Sequence, residues 1–226
     1  MVLARRGPDL PERDPYDLDG RVGPTAGEPL RMVWLGDSTA AGVGASGPDA
    51  ALPRQVAARL DRPVHLTVRA VSGARVADVR DEQVPELGPA AERADVVVIS
   101  VGANDVVHLT RRGDFARRYR ELLDGLPDDV PLVLLGVPDF GSVTRFAQPL
   151  RFIAGVRGGT LDAVISDVAR ERQAGYVDIA GETGPAFRDD PGRLFAADRY
   201  HPSDAGYGLW ADAVAPVVEE VVRAGA

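Results

Sequence analysis

The chain has 226 residues, 45% of them hydrophobic and 27% charged, which is enough for one full α/β domain with an ordinary globular balance. Its formal net charge of −8 excludes a nucleic-acid groove, which needs a basic footprint, and removes long-range attraction to anionic lipid. There is no cysteine, so disulfides, thiolate metal sites and a cysteine nucleophile are excluded.

Residues 1–29 are rich in Pro, Gly and acid, and no apolar stretch follows Arg5 and Arg6. That pattern predicts neither a signal peptide nor a membrane span, and reads as a disordered or surface-wrapping arm. A single domain is expected over 30–226. No later apolar run has the length of a bilayer crossing, so a cytoplasmic location is expected. The composition leaves the oligomeric state open.

MVWL at 32–35 is a short apolar run stopped by Gly36, the pattern of a buried strand. Helical periodicity covers about 49–60. VHLTVR at 64–69 alternates as a strand, and a helix is expected over 75–84, ending near Pro85. DVVVIS at 95–100 is short and β-branched, as strands are. A helix follows over 114–125, with Gly125 and Pro127 as stop signals. Within and before it, the cluster Arg111, Arg112, Arg117, Arg118 and Arg120 reads as a solvated face. PLVLLGV at 131–137 is a strand, 138–155 an irregular stretch, and a long helix runs to about Gln173. YVDI at 176–179 makes a fifth strand, a Gly/Pro/Asp-rich loop follows, and a helix closes the chain from Ala205 to Arg223. Strands that alternate with helices predict a parallel sheet covered on both faces, with ligands bound beyond the carboxyl ends of the strands.

Four polar loops stand at those ends. Ser38 follows the first strand in GDSTAAG, where Gly-flanked turns leave a hydroxyl uncrowded. Taken alone it reads equally as a helix N-cap, and the G-x-S-x-G elbow is absent because Ala40 fills its last position. His201 comes three residues after Asp198, a spacing that lets one turn bring a carboxylate to an imidazole and hold its tautomer. Alone, His201 reads as a surface residue beside a cap at Pro202 and Ser203. His65 and His108 have no carboxylate at comparable spacing. Oxyanion donors are available in the N–H groups of Ser38 and Gly73 and the side-chain amide of Asn104. Singly, Gly73 and Asn104 are turn residues. Their joint occurrence after successive strands, with Asp198 and His201 before the final helix, is what favours catalysis.

GDS with Ser38, VSGARVADV with Gly73, GAND with Asn104 and DRYHPS with Asp198 and His201 resemble the four blocks of the SGNH (GDSL-type) hydrolases, in the same order. The resemblance spans about residues 31–222. It implies a flavodoxin-like three-layer α/β/α sandwich with a five-stranded parallel sheet in the order 2-1-3-4-5. It also implies hydrolysis of esters or thioesters with no metal or cofactor. By the same resemblance Ser38 is the nucleophile, His201 the base, Asp198 its orienting acid, and Gly73 and Asn104 oxyanion donors. One departure stands out: Ala70, Val71 and Ser72 occupy the stretch where many members carry an Asn before the glycine. Asp37, beside the nucleophile, is expected to bond nearby backbone N–H groups.

A literal G-x-G-x-x-G at Gly42, Gly44 and Gly47 suggests a dinucleotide site, but six residues separate Leu35 from Gly42 and no acid ends the second strand. These glycines are expected to let a loop run close over the site. The partner expected is a small-molecule ester, and substrate selection is expected in the loops. Phe140, Phe146, Phe152 and Ile153 are candidates for one apolar wall, and Val106, Val107, His108 and Leu109 for another; packing of the same residues onto the sheet is the alternative. The absence of a large apolar lid favours small or short-chain esters. A thioesterase, a carbohydrate O-deacetylase and a non-catalytic ligand-binding domain are the remaining alternatives.

Overall fold

The computed structural model describes residues 8–11 and 14–225. Arg5 and Arg6, with the start of the expected arm, lie outside the described residues. Six strands form one sheet: β1 (Gly20–Val22), β2 (Leu30–Gly36), β3 (Val64–Ala70), β4 (Val96–Ser100), β5 (Leu132–Leu135) and β6 (Gly175–Val177). Their spatial order is β1-β3-β2-β4-β5-β6. All neighbours pair parallel except β1, which lies antiparallel on β3. The expected five-stranded parallel sheet is therefore corrected to a mixed sheet of six. The extra strand comes from the Pro/Gly/acid-rich arm. Three residues carry too little apolar pattern to be read as a strand, and pairing with the edge of β3 supplies what local propensity does not.

The centre of the sheet forms because its strands are buried on both faces, where only a continuous apolar run is stable. Val96, Val97, Val98 and Ile99 of β4 are fully buried, each contributing about 1.5–3 kcal/mol of transfer free energy. Helices α1 (Leu52–Arg59) and α10 (Asp204–Gly225) pack together over one face, with α8 (Ile179–Asp189) and α9 (Pro191–Leu194) against α10. On the other face α6 (Arg112–Asp124) packs on α7 (Leu150–Glu171), and the short α2 (Val76–Asp78) packs on α6. A π-helical turn over Val79–Gln83 joins α2 to α3 (Val84–Leu87), and α4 (Pro89–Glu92) follows.

Three local differences from the sequence reading have physical causes. The helical segment runs past Pro85 because that proline stands in the first turn of α3, where a missing N–H is tolerated. The 180–197 stretch, read as loop, is α8 and α9. The Asp178 and Asp190 side chains cap them by accepting the N–H groups of Gly181 and Arg193 at 2.7 and 3.2 Å. Pro185 inside α8 had disguised the pattern. Asn104 stands on α5 (Ala103–Val107), a short helix that opens directly at the end of β4.

The ends of β2 and β4 are held firmly under the site. The Gln83 side chain accepts from the Gly36 N–H at 3.0 Å and donates to the Gly36 carbonyl at 2.8 Å. Trp34 Nε1 donates to the Ser100 hydroxyl at 3.0 Å, and the Asp37 N–H to the Ser100 carbonyl at 3.1 Å. All these groups are buried, where a lost partner costs about 1–3 kcal/mol, so the start of the loop that carries Ser38 has one geometry.

Candidate active site

Ser38 sits two residues past β2, in a turn closed by its neighbours. Oδ1 of Asp37 accepts from the Thr39 N–H at 3.0 Å and from the Thr39 hydroxyl at 2.9 Å. Asp37 is buried, and that burial pushes its carboxyl up to about 6 against the Thr39 hydrogen bonds and the attraction of His201. It thus serves the backbone, as the sequence suggested.

The structure brings Ser38, His201 and Asp198 together across 163 residues of chain. Ser38 Oγ lies 3.0 Å from Nε2 of His201, and Nδ1 of His201 lies 2.6 Å from Oδ2 of Asp198. An ionised carboxylate only accepts, so Nδ1 carries the proton and Nε2 is left to accept from the serine hydroxyl. Oδ1 of Asp198 accepts from the backbone N–H groups of Tyr200 and His201 at 3.0 and 3.1 Å, which fixes the carboxylate within its own turn. Burial pushes the Asp198 carboxyl up, but the His201 hydrogen bond and charge and these two N–H groups outweigh it. The net shift is below the ordinary carboxylate value.

The loop carrying Asp198 and His201 is fastened from outside. Arg145 donates its N–H to the Arg199 carbonyl at 3.1 Å and its guanidinium to the Asp198 carbonyl at 3.2 Å. The same guanidinium reaches the Pro8 carbonyl at 3.0 Å and pairs with Asp9. Nothing in the sequence near Arg145 signals this role, because all its partners are remote.

Gly42, Gly44 and Gly47 belong to a loop that passes His201. Gly44 adopts φ +98°, and a Cβ there would run into the carbonyl of Pro202 and Cβ of His201. The glycine is required by this close approach. Tyr207 donates to the Val43 carbonyl at 2.6 Å and Val43 to the Ser38 carbonyl at 2.9 Å, so the loop is anchored to the Ser38 turn.

Gly73 and Asn104 are brought to one another. Nδ2 of Asn104 donates to the Ala74 carbonyl at 3.0 Å, which leaves the second of its two amide hydrogens without an acceptor among the described residues. The next residue, Asp105, is buried and accepts from the Val76 N–H at 3.0 Å. Gly73 has φ +89° with open space around the position of a Cβ. Among the described residues, neither the Ser38 nor the Gly73 N–H has a backbone or side-chain acceptor.

A cleft with about 490 Å³ of empty space, its open mouth included, lies against Ser38 and His201. Its walls include Phe140, Phe187, Tyr200 and Trp210, with Thr183 and Gly184 of α8 beside them. Of the apolar residues expected from sequence, only Phe140 lines it. Phe146 is buried behind, stacked on Phe140 at 6.3 Å between ring centroids, and Val106 is buried in the core. Phe152, Ile153, Val107 and Leu109 stand exposed outside the cleft. Phe152 and Ile153 sit on the outer face of α7, Val107 at the end of α5 and Leu109 just past it, a placement that depends on how those helices pack. Nothing local marks Phe187, in a stretch that reads as loop, or Trp210, which reads as an ordinary apolar helix position; their convergence on the cleft beside Ser38 is tertiary.

Comparison with known proteins bears on the family and the fold. The chain is 32% identical over 188 residues to the GDSL-like esterase Rv1075c of Mycobacterium tuberculosis, matching 81% of this chain and 60% of that protein. It therefore spans about three fifths of the length of that relative. Solved structures with the same fold include phospholipase A1 from Streptomyces albidoflavus NA297, with TM-score 0.64 and 23% identity over 84% of this chain and 98% of that one. Another is a single-substitution variant of an acetyl xylan esterase from Geobacillus stearothermophilus, with TM-score 0.62 and 22% identity over 87% and 96%. The profile of the GDSL-like Lipase/Acylhydrolase family matches residues 34–209, and the chain belongs to that family.

Proposed function

We propose that the protein is a serine hydrolase that cleaves carboxylic esters through an acyl-enzyme on Ser38. The observation that carries this reading is the hydrogen-bonded series Ser38–His201–Asp198, with Ser38 at the floor of an apolar cleft. His201 removes the serine proton as Oγ attacks the ester carbonyl. Asp198 stabilises the imidazolium that forms. His201 then returns the proton to the departing alcohol, and water hydrolyses the acyl-enzyme by the same route. The N–H groups of Ser38 and Gly73 and the free amide hydrogen of Asn104 receive the oxyanion. The small aromatic-walled cleft supports small or short-chain esters.

A fluorophosphonate probe tests the chemistry: it labels the wild type on Ser38 and leaves Ser38→Ala unlabelled. Equal labelling of the two proteins, or none of the wild type, would remove the acyl-enzyme from consideration. A p-nitrophenyl ester series tests the substrate class, with the highest kcat/KM expected on the shortest acyl chains. A maximum on long chains would reject the short-chain preference.

A further inference from the structure

The large apolar side chains that stand exposed among the described residues gather in three segments: Val71, then Val107 and Leu109, then Leu150, Phe152, Ile153 and Val156. These segments follow β3, β4 and β5, the side of the sheet that carries the catalytic loops. They also adjoin one another. Arg157 of α7 donates to the carbonyls of Val106 and Thr110, and Asn104 donates to that of Ala74. Leu109 is 67% and Phe152 66% exposed, and Leu109 is held at φ +58°, a conformation that costs a non-glycine residue about 1–2 kcal/mol. Isolated exposed leucines are ordinary; a concentration of this kind marks an interaction surface.

The charge around the patch is opposite to that of the whole molecule. In a chain of net charge −8, no acidic residue occurs in 106–113 or 140–161. Those stretches instead hold Arg111, Arg112 and Arg151, which form no ion pair among the described residues. A second copy docked through this face in a two-fold dimer would set these arginines against themselves. An apolar centre fringed by cations fits a surface whose apolar interior lies beneath an anionic rim.

We propose that this face docks the protein onto an anionic lipid surface. Phe152, Ile153, Val156 and Leu109 enter the headgroup boundary, and Arg111, Arg112 and Arg151 meet lipid phosphates. The overall negative charge repels such a surface at a distance, but at physiological salt that field is screened beyond about 8 Å, and contact is decided by the local arginines. Val71 is two residues from Gly73 and Val107 three from Asn104, within about 11 Å along the chain, so a docked molecule holds the site's oxyanion side at the lipid boundary. That last consequence rests on the esterase reading; the docking itself does not.

Vesicle flotation of the full chain tests it, with phosphatidylcholine alone and with about one third phosphatidylglycerol at about 0.15 M salt. The wild type is expected to float with the anionic vesicles. Phe152→Asp/Val156→Asp and, separately, Arg111→Glu/Arg151→Glu are expected to lower the bound fraction about tenfold. Both variants should keep wild-type circular dichroism and fluorophosphonate labelling, since the substituted side chains are outside the cleft. Failure of the wild type to float, equal flotation on both vesicle types, or unchanged flotation of both variants overturns the proposal. A dimer in solution that Phe152→Asp/Val156→Asp converts to monomer overturns it in favour of a second copy. Absence of labelling in the wild type would overturn the esterase reading and leave flotation intact as a separate result.

Discussion

The side-chain amide of Asn104 donates a 3.0 Å hydrogen bond to the carbonyl of Ala74, tying the loop after β4 to the loop after β3. One amide hydrogen ties to the turn at Gly73, and the other has no acceptor among the described residues. The two candidate oxyanion donors therefore depend on one side chain, which no single motif in the sequence reveals.

Asn104→Ala removes a donor and the tie together. A loss of about 10²–10³ in kcat on p-nitrophenyl acetate is expected, the usual consequence of deleting one oxyanion donor. KM should change much less. A kcat within twofold of wild type would show that the amide has no part in the transition state.

Asp198→Asn keeps the shape of the turn but loses the charge beneath His201. Its Oδ1 contacts to Tyr200 and His201 are retained in outline, while the carboxylate proposed to stabilise the imidazolium is gone. A fall in kcat of about 10³–10⁴ is expected, together with slow fluorophosphonate labelling. A labelling rate equal to wild type would contradict the role given to Asp198.

Gly44→Ala meets the Pro202 carbonyl and forces a side chain into φ +98°. The backbone alone accounts for about 1–2 kcal/mol, before the overlap is relieved. The expected outcome is a lower Tm and a reduced kcat, because the displaced group is the main chain beside His201. Unchanged Tm and kcat would mean that the loop moves away freely.

The raised carboxyl of Asp37 makes stability depend on pH. The unfolded group titrates near its ordinary value of about 4 and the folded one at about 6. Between these values the folded state holds the extra proton, so this contribution is fully present below about pH 4 and is lost as pH rises through 6. The difference of roughly two pKa units corresponds to a contribution on the order of 3 kcal/mol. Asp37→Asn retains an oxygen for Thr39 and removes the buried charge. Its Tm relative to wild type should therefore rise steadily from pH 4 to pH 7, measured by thermal melts across that range. A constant difference would show that Asp37 does not titrate in the folded protein.

The sheet was legible in 32–35, 95–100 and 131–137 because strands buried on both faces must be continuously apolar, and in 64–69 because its apolar and polar residues alternate. β1 was not, since Gly20–Val22 becomes a strand only by pairing with β3. The contact among Ser38, His201 and Asp198 could be anticipated because Asp198 and His201 lie within one turn and Ser38 stands two residues past a strand. The cleft could not: Phe152 and Phe187 are both phenylalanines on helices, and only packing turns one to solvent and the other toward Ser38.

By itself the sequence determined which nucleophilic, basic and acidic side chains the chain offers and which strand ends carry them, because both follow from short-range order along the chain. The tertiary structure decided which of those groups meet. The 3.0 Å contact of Ser38 with His201, the clamp of Arg145 on the Asp198 loop and the aromatic walls of the cleft each join residues far apart in sequence. Contacts of that kind depend on how the layers close around the sheet, and local propensity carries no information about them.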